Sequence, residues 1–298
     1  MEDKKPLFSI LIPTWNNLGF LKLCIDSIER NSCYGHEILI HVNDGSDGTL
    51  EWVREMGYRY VHTEKNVGVC ASLNGLRSLM QTDYLVYVND DMYMCPGWDK
   101  VFYDEIMRMP DKQWFLGATR IQPHPNKRRP NSILVKDFGS DPDGFDESFF
   151  LDNYKALETN DWKGVVHPPN VVHRDIWDLV GGYSLELSPG LGSDPDFTAK
   201  LLVAGVTRLK GLGKCLCYHF ESKTVGRMKT NKGSLQFLRK WGITVRAFET
   251  VVIEADESWD EPVQINERKL AIELLRSRVK KLLTVWNDVK SPSPWMQS

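Results

Sequence analysis

Tyr84-Leu-Val-Tyr-Val-Asn-Asp-Asp91 runs five apolar and aromatic residues straight into one amide and two carboxylates. A run this short, bounded by turn residues, predicts a buried strand. Carboxylates placed directly after it are costly unless they meet a cation or a donor. The same layout recurs upstream. Phe8–Ile12 (FSILI) predicts a strand ended by Pro13, and Glu37–Val42 (EILIHV) a second, ended by Asn43-Asp-Gly-Ser-Asp-Gly-Thr49. Leu18–Arg30 carries Leu18, Leu21, Ile25 and Ile28 at helical spacing; Thr49–Met56 and Val69–Met80 read as further helices, and Tyr58–His62 as a short strand. Strand–helix alternation predicts an α/β fold, a mostly parallel sheet flanked by helices. In such sheets ligands gather outside the carboxyl ends of the strands. Pro13-Thr-Trp-Asn16, Asn43–Thr49 and Asn89–Asp91 all fall at those ends.

Downstream the pattern weakens. From Pro123 to Asp161, Pro, Gly, Asp and Asn are frequent, and Asp137–Asp146 (DFGSDPDGFD) has no periodicity, so long loops are expected. Order returns at Asn170–Leu179 and in a helix over Phe197–Ala204; Thr207–Phe220 reads as strand, tight Gly-Leu-Gly turn, strand. Gln264–Val289 has apolar residues at Ile265, Leu270, Ile272, Leu274, Leu275, Val279, Leu282, Leu283 and Trp286 with Lys and Arg between them, one long amphipathic helix broken by Ser291-Pro-Ser-Pro. Its expected role is docking on the catalytic domain or forming a homo-oligomer; a basic amphipathic surface on an anionic membrane is the alternative. The division expected is a catalytic domain over 5–222 and a mainly helical C-terminal extension over 223–298.

The bulk numbers exclude several classes. The 298 residues are 42% hydrophobic and 26% charged, ordinary for a soluble domain that buries its own core. A net charge of −3 argues against a nucleic-acid binder. The N-terminus has no secretory-signal pattern, and no apolar run approaches the ~20 residues of a membrane span. The six cysteines form no CxxC pair, which points to a reduced, cytoplasmic compartment. Cys215 and Cys217 share one face of a strand, and with His219 they form a marginal zinc candidate lacking a second knuckle.

Four constellations carry chemistry. Asn89-Asp90-Asp91 offers hard oxygen ligands suited to Mg²⁺ or Mn²⁺ together with substrate phosphates; its bland alternative is a solvated turn. Asn43–Thr49 partly mimics a calcium loop but lacks the closing bidentate Glu. A carboxylate there can instead accept from the imide N–H of a base. Leu191-Gly-Ser-Asp-Pro-Asp-Phe197 enters a helix, so Asp194 and Asp196 are either caps or one of them is a general base for an attacking hydroxyl. His219 ends its strand and precedes a basic run, Ser222–Lys232, able to neutralise a diphosphate.

Together these clusters, in order over residues 7 to 222, resemble the inverting glycosyltransferases of family 2, which have the GT-A (Rossmann-like) fold. Pro13-Thr-Trp-Asn16 resembles the first nucleotide loop and Asn43–Thr49 the Asp-Asp-Gly-Ser motif. Asn66-Val-Gly68 with Ala71 and Asn74-Gly75 resembles the helix entrance beside the nucleotide. Asn89-Asp-Asp91 with Pro96-Gly-Trp98 resembles the DxD motif, and Val180-Gly-Gly-Tyr183 with Ser193-Asp-Pro-Asp-Phe197 the Gly-Gly-Phe and Glu-Asp-x-Asp-Leu pair. The resemblance implies nucleotide contacts from Pro13, Thr14, Trp15, Asn16, Asp44, Asn66, Gly68, Asn74, Asn89 and Asp90, with Asp44 on the base. It implies Mn²⁺ or Mg²⁺ held by Asp91 and His219, and Asp194 as catalytic base. It also implies a UDP-, GDP- or dTDP-linked sugar donor and a glycan or glycoconjugate acceptor. Two departures stand out: Asn89 replaces the first Asp of DxD, and Ser193 replaces Glu. Gln236-Phe-Leu-Arg-Lys-Trp241 nearly spells the processive QxxRW motif but carries an extra Lys240, so a non-processive enzyme is expected. The rivals are a sugar nucleotidyltransferase, which should carry a Gly-rich basic loop after strand one, and a catalytically silent glycan-binding scaffold.

Overall fold

The computed structural model describes residues 5–125, 131–221 and 231–290, with side chains to residue 283. The first half follows the expected alternation: β1 (Phe8–Trp15), α1 (Leu18–Asn31), β2 (Glu37–Asn43), α2 (Thr49–Glu55), β3 (Arg59–Thr63), α3 (Gly68–Arg77) and β4 (Tyr84–Tyr87). These strands pair in parallel, with Ile10 opposite Ile38 and Val86. Pro13 does not end β1 as expected. Pairing with β4 stops at Leu11, so β1 runs on with a ladder to β2 alone, where the missing N–H of proline is tolerated.

The remaining strands are β5 (Met92–Met94), β6 (Trp114–Gln122), β7 (Ile133–Val135), β8 (Trp162–Lys163), β9 (Asn170–His173) and β10 (Arg208–His219). Among the described residues the sheet order is β3-β2-β1-β4-β9-β6-β10-β5, with β7 on β6 and β8 on β10. Its pairing is mostly parallel, as expected, with antiparallel insertions: β9 lies antiparallel between β4 and β6, and β5 and β8 are antiparallel to β10.

The Gly-Leu-Gly at 211–213 is no turn. β10 passes through it, with a register jump against β6 between Leu212 and Leu216. These glycines serve close approach: a Cβ on Gly211 would meet the Trp162 ring, and one on Gly213 the Thr159 carbonyl.

The expected long loops before Asp161 are also largely ordered. Beside β7 stand α5 (Glu147–Asn153), capped by Asp146, and a 3₁₀ turn at Tyr154–Leu157. Phe138, Phe150 and Tyr154 are buried with Tyr93, Tyr218 and Phe220 in a core cluster of their own. Their spacing follows neither 2 nor 3.6, so the order comes from tertiary packing on β10, which no local pattern displays.

After α4 (Trp98–Ile106), helices α6 (Arg174–Val180) and α7 (Ser193–Val203) complete the flanks. Beyond residue 223, α8 (Gly233–Trp241) and the turn at Phe248–Val252 place Phe237, Phe248 and Ile253 in the same core cluster as Leu11 and Phe115. The expected long helix is α9 (Glu267–Lys290). It packs Leu270 and Leu274 on that core, while Ile272, Leu275, Val279, Leu282 and Leu283 are exposed. No helix among the described residues is long and apolar enough to cross a membrane.

Candidate active site

Two turns at the carboxyl ends of β1 and β2 are locked together by polar side chains. Asn16 and Asp44 both adopt left-handed backbone, at φ 48° and 62°. Asn16 Nδ2 donates to Asp44 Oδ2 at 2.9 Å, and Asn16 Oδ1 accepts from the Gly45 N–H at 2.8 Å. Hydrogen bonds from Ser46 and Asn16 hold the Asp44 carboxyl below the usual carboxylate range. Asn43 reaches back to the Thr14 carbonyl, and Thr14 Oγ1 donates to Asp90 Oδ2 at 2.7 Å. The buried Asp90 is thereby satisfied.

Asp91 and His219 are brought together by strand pairing. β5 pairs with β10 so that Met92 faces His219, and the Phe220 N–H donates to the Asp91 carbonyl. Asp91 Oδ1 and His219 Nε2 lie 3.5 Å apart, and Asp91 is only 6% exposed. That separation is close to the ~3 Å edge between neighbouring ligands of a small divalent cation with bonds of 2.0–2.1 Å. One carboxylate and one imidazole fit Mn²⁺ or Mg²⁺ completed by phosphate and water. Among the described residues no group of three His, Cys, Asp or Glu converges, so the rest of the shell would come from substrate. Burial, and then the charges of Asp90 and Asp91, push the Cys24 thiol well up, a sign of the negative field here. The zinc alternative has no support: Cys215 and Cys217 point into the core among Met92, Trp98 and Phe102, their thiols raised by burial.

The opposite wall is built by α7. Gly192 caps it in left-handed backbone, and Asp194 stands in its first turn. Asp194 Oδ1 accepts from the Tyr183 hydroxyl at 3.1 Å, and Oδ2 lies 3.1 Å from His167 Nδ1. Burial, then Asp194, raise the Tyr183 and Tyr87 hydroxyls well above their ordinary value. The two carboxylates of this helix have different fates. Asp196 is fully buried, accepting from Trp241 Nε1 and Ser184 Oγ and pairing with Lys240 Nζ at 2.9 Å.

A cleft of about 560 Å³ opens between the walls. Of the residues expected from sequence, Pro13, Thr14, Trp15, Asn89, Asp90, Asp91, Asp194 and His219 line it. Asn16 and Asp44 are outside the lining and directly follow Trp15 and Asn43, which belong to it. Asn66, Gly68 and Asn74 lie off it and do other work. Asn66 Oδ1 accepts from the Gly68 N–H, and Gly68 lies so close to Pro189 that a Cβ would stand 2.5 Å from its Cα. Asn74 exchanges two hydrogen bonds with the Tyr183 backbone. Asn43 and Leu191 also line the cleft and Tyr183 stands behind Asp194; the sequence showed them only as members of motifs, without a role of their own. Val69, Tyr87, Pro189 and Glu221 in the lining, and His167 behind Asp194, were not expected. Most of the basic run after His219, residues 222–230, lies outside the described residues.

Residues 9–170, more than half of the chain, match the description Glycosyl transferase family 2. The chain belongs to that family. Among family relatives, the "PGL/p-HBAD biosynthesis glycosyltransferase" of Mycobacterium bovis is 28% identical over 130 residues, 37% of this chain and 50% of its own. The "putative colanic acid biosynthesis glycosyl transferase WcaA" of Escherichia coli is 31% identical over 106 residues, 33% of this chain and 37% of its own. A further relative, the uncharacterized protein y4gI of Sinorhizobium fredii, is 25% identical over 82% of this chain and 28% of its own. The chain thus spans half or less of the length of these relatives. Solved structures show the GT-A fold. S. aureus TarS 1–349 in complex with UDP-GlcNAc has a TM-score of 0.58 at 13% identity, over 81% of this chain and 66% of its own. GalNAc-T7 with UDP, GalNAc and Mn²⁺ has 0.59 at 13%, over 84% and 51%.

Proposed function

We propose that this family 2 chain is a non-processive, inverting glycosyltransferase that moves a sugar from a nucleoside diphosphate donor to an acceptor hydroxyl in glycan or glycoconjugate synthesis. The observation that carries this reading is one cleft with Asp91 and His219 on one wall and Asp194 on the other. The UDP-GlcNAc bound by TarS and the UDP and Mn²⁺ of GalNAc-T7 favour a uridine donor and a divalent ion. Asp44, next in sequence to the lining residue Asn43, accepts from the base, with Trp15 nearby. Asp91 and His219 hold the ion, whose charge would offset the negative charge growing on the departing diphosphate. Asp194, oriented by Tyr183 and His167, takes the proton of the acceptor hydroxyl as that oxygen attacks the anomeric carbon from the far side. Pro13-Thr-Trp-Asn16, with no Gly-rich basic loop, disfavours the nucleotidyltransferase reading.

The test is a panel of UDP-, GDP- and dTDP-sugars with Mn²⁺, read as nucleoside diphosphate release. Turnover of one class that depends on Asp194 supports the reading. A chain that binds no nucleotide and hydrolyses no donor is a scaffold, and the enzyme reading falls.

A further inference from the structure

We infer that His167 is a positioning residue for Asp194, setting the direction in which that carboxylate presents its free lone pair to the acceptor hydroxyl. The inference rests on the reading of Asp194 as the base. His167 Nδ1 lies 3.1 Å from Asp194 Oδ2, while the Tyr183 hydroxyl donates to the other oxygen at the same distance. Each carboxylate oxygen is thus gripped by a donor from a different loop, which removes the rotation an exposed aspartate would keep. Asp194 lines the cleft and His167 does not, so His167 acts on the reaction through Asp194.

The segment carrying His167 is itself fixed to the helix it serves. Val165 and Val166 are buried, and the Val165 carbonyl accepts from Thr198 Oγ1, one turn along α7 from Asp194. An ionised carboxylate accepts and cannot donate, so in this contact the hydrogen comes from His167 Nδ1. Holding a base within a few tenths of an ångström and ~10–20° of its working geometry is what such a partner contributes. His167 is one-third exposed at its side chain, and nothing about its burial demands an imidazole there.

The experiment compares His167→Asn, whose Nδ2 can donate from the place of Nδ1, with His167→Leu, which keeps bulk without a donor. Steady-state kinetics with the productive donor and calorimetric binding of its nucleoside diphosphate are the readouts. His167→Leu should lose roughly 10- to 100-fold in kcat with KM for donor and nucleotide affinity within about twofold, and His167→Asn should recover most of that loss. Equal kcat for the two variants, whether both fall or neither does, overturns the inference, as does a loss confined to KM. Asp194→Asn is run beside them. Retained turnover in Asp194→Asn sinks the base reading itself, whereas an inactive Asp194→Asn with a fully active His167→Leu sinks only the positioning role of His167.

Discussion

The indole N–H of Trp241 donates to Asp196 Oδ1 at 2.8 Å, across 45 residues of chain. Through this bond α8 becomes part of the foundation of α7. Lys240 completes it, bridging Asp196, Ser184 and Glu186. The residues that nearly spell a processive-synthase motif instead neutralise a buried carboxylate two positions from the candidate base.

Asp196→Ala should therefore be a stability mutation. Removing one partner of a buried, hydrogen-bonded charge pair costs about 3 kcal/mol, since Lys240 and the indole lose their acceptor. At this chain length that lowers Tm by roughly 5 °C. Thermal melting with activity measured well below the transition checks it. An unchanged Tm with abolished turnover would make Asp196 the base and demote Asp194.

Asp91→Ala should remove the metal dependence of nucleotide binding. In the unsubstituted protein, Mn²⁺ should tighten UDP by at least ~10-fold, because the ion links protein to diphosphate. In Asp91→Ala the titrations with and without Mn²⁺ should coincide. Equal Mn²⁺ enhancement in both proteins would place the ion elsewhere or nowhere.

Gly68→Ala tests the hinge between the helix α3 and the cleft wall. Gly68 has φ +81° and its missing side chain makes room for Pro189, whose carbonyl accepts from the Val69 N–H. A methyl group there incurs left-handed strain of ~1 kcal/mol and overpacking of ~1–3 kcal/mol. Because Pro189 and Leu191 line the cleft, donor KM should rise along with the fall in Tm. A variant that melts normally would show that the Pro189 loop yields to a methyl group without strain.

Asp99 governs an acid-sensitive part of stability remote from the cleft. Burial raises its pKa, but hydrogen bonds from His36 and the Cys33 and Tyr34 N–H groups outweigh it, leaving the carboxyl below the usual range. A folded pKa below the unfolded ~3.9 means the contribution is present above that value and fades as pH falls through the folded pKa. Asp99→Asn should lower Tm at pH 7 and flatten its dependence between about pH 4 and 2. Parallel Tm–pH curves for both proteins would contradict this.

How much was legible depended on whether the cause was local. Phe8 to Val88 alternates short apolar runs with helical spacing, and those elements stand close to where the pattern puts them, β1 alone running on past Pro13. The Asp91–His219 approach came from family resemblance, since nothing in a spacing of more than a hundred residues predicts that β5 will pair with β10. His167 was invisible, and Tyr183 visible only as a motif member, because their meeting with Asp194 depends on how separate loops fold onto α7. Phe138, Phe145 and Phe150 read as loop because aromatic packing needs no period. Asn74 and Gly68 were expected beside the nucleotide, yet their atoms are spent on the Tyr183 and Pro189 loops rather than turned to the cleft.

The bulge in β10 works like a reading frame. Gly213, Lys214 and Cys215 have no counterpart on β6, and beyond them Leu216 and Tyr218 face the aromatic cluster while Cys217 faces the opposite core. Because neighbours on a strand point to opposite faces, deleting one of those three residues would throw everything downstream out of phase. His219 would swing away from Asp91 with no substitution at either position, so a single-residue indel outside the cleft lining would part the pair while the sheet still formed.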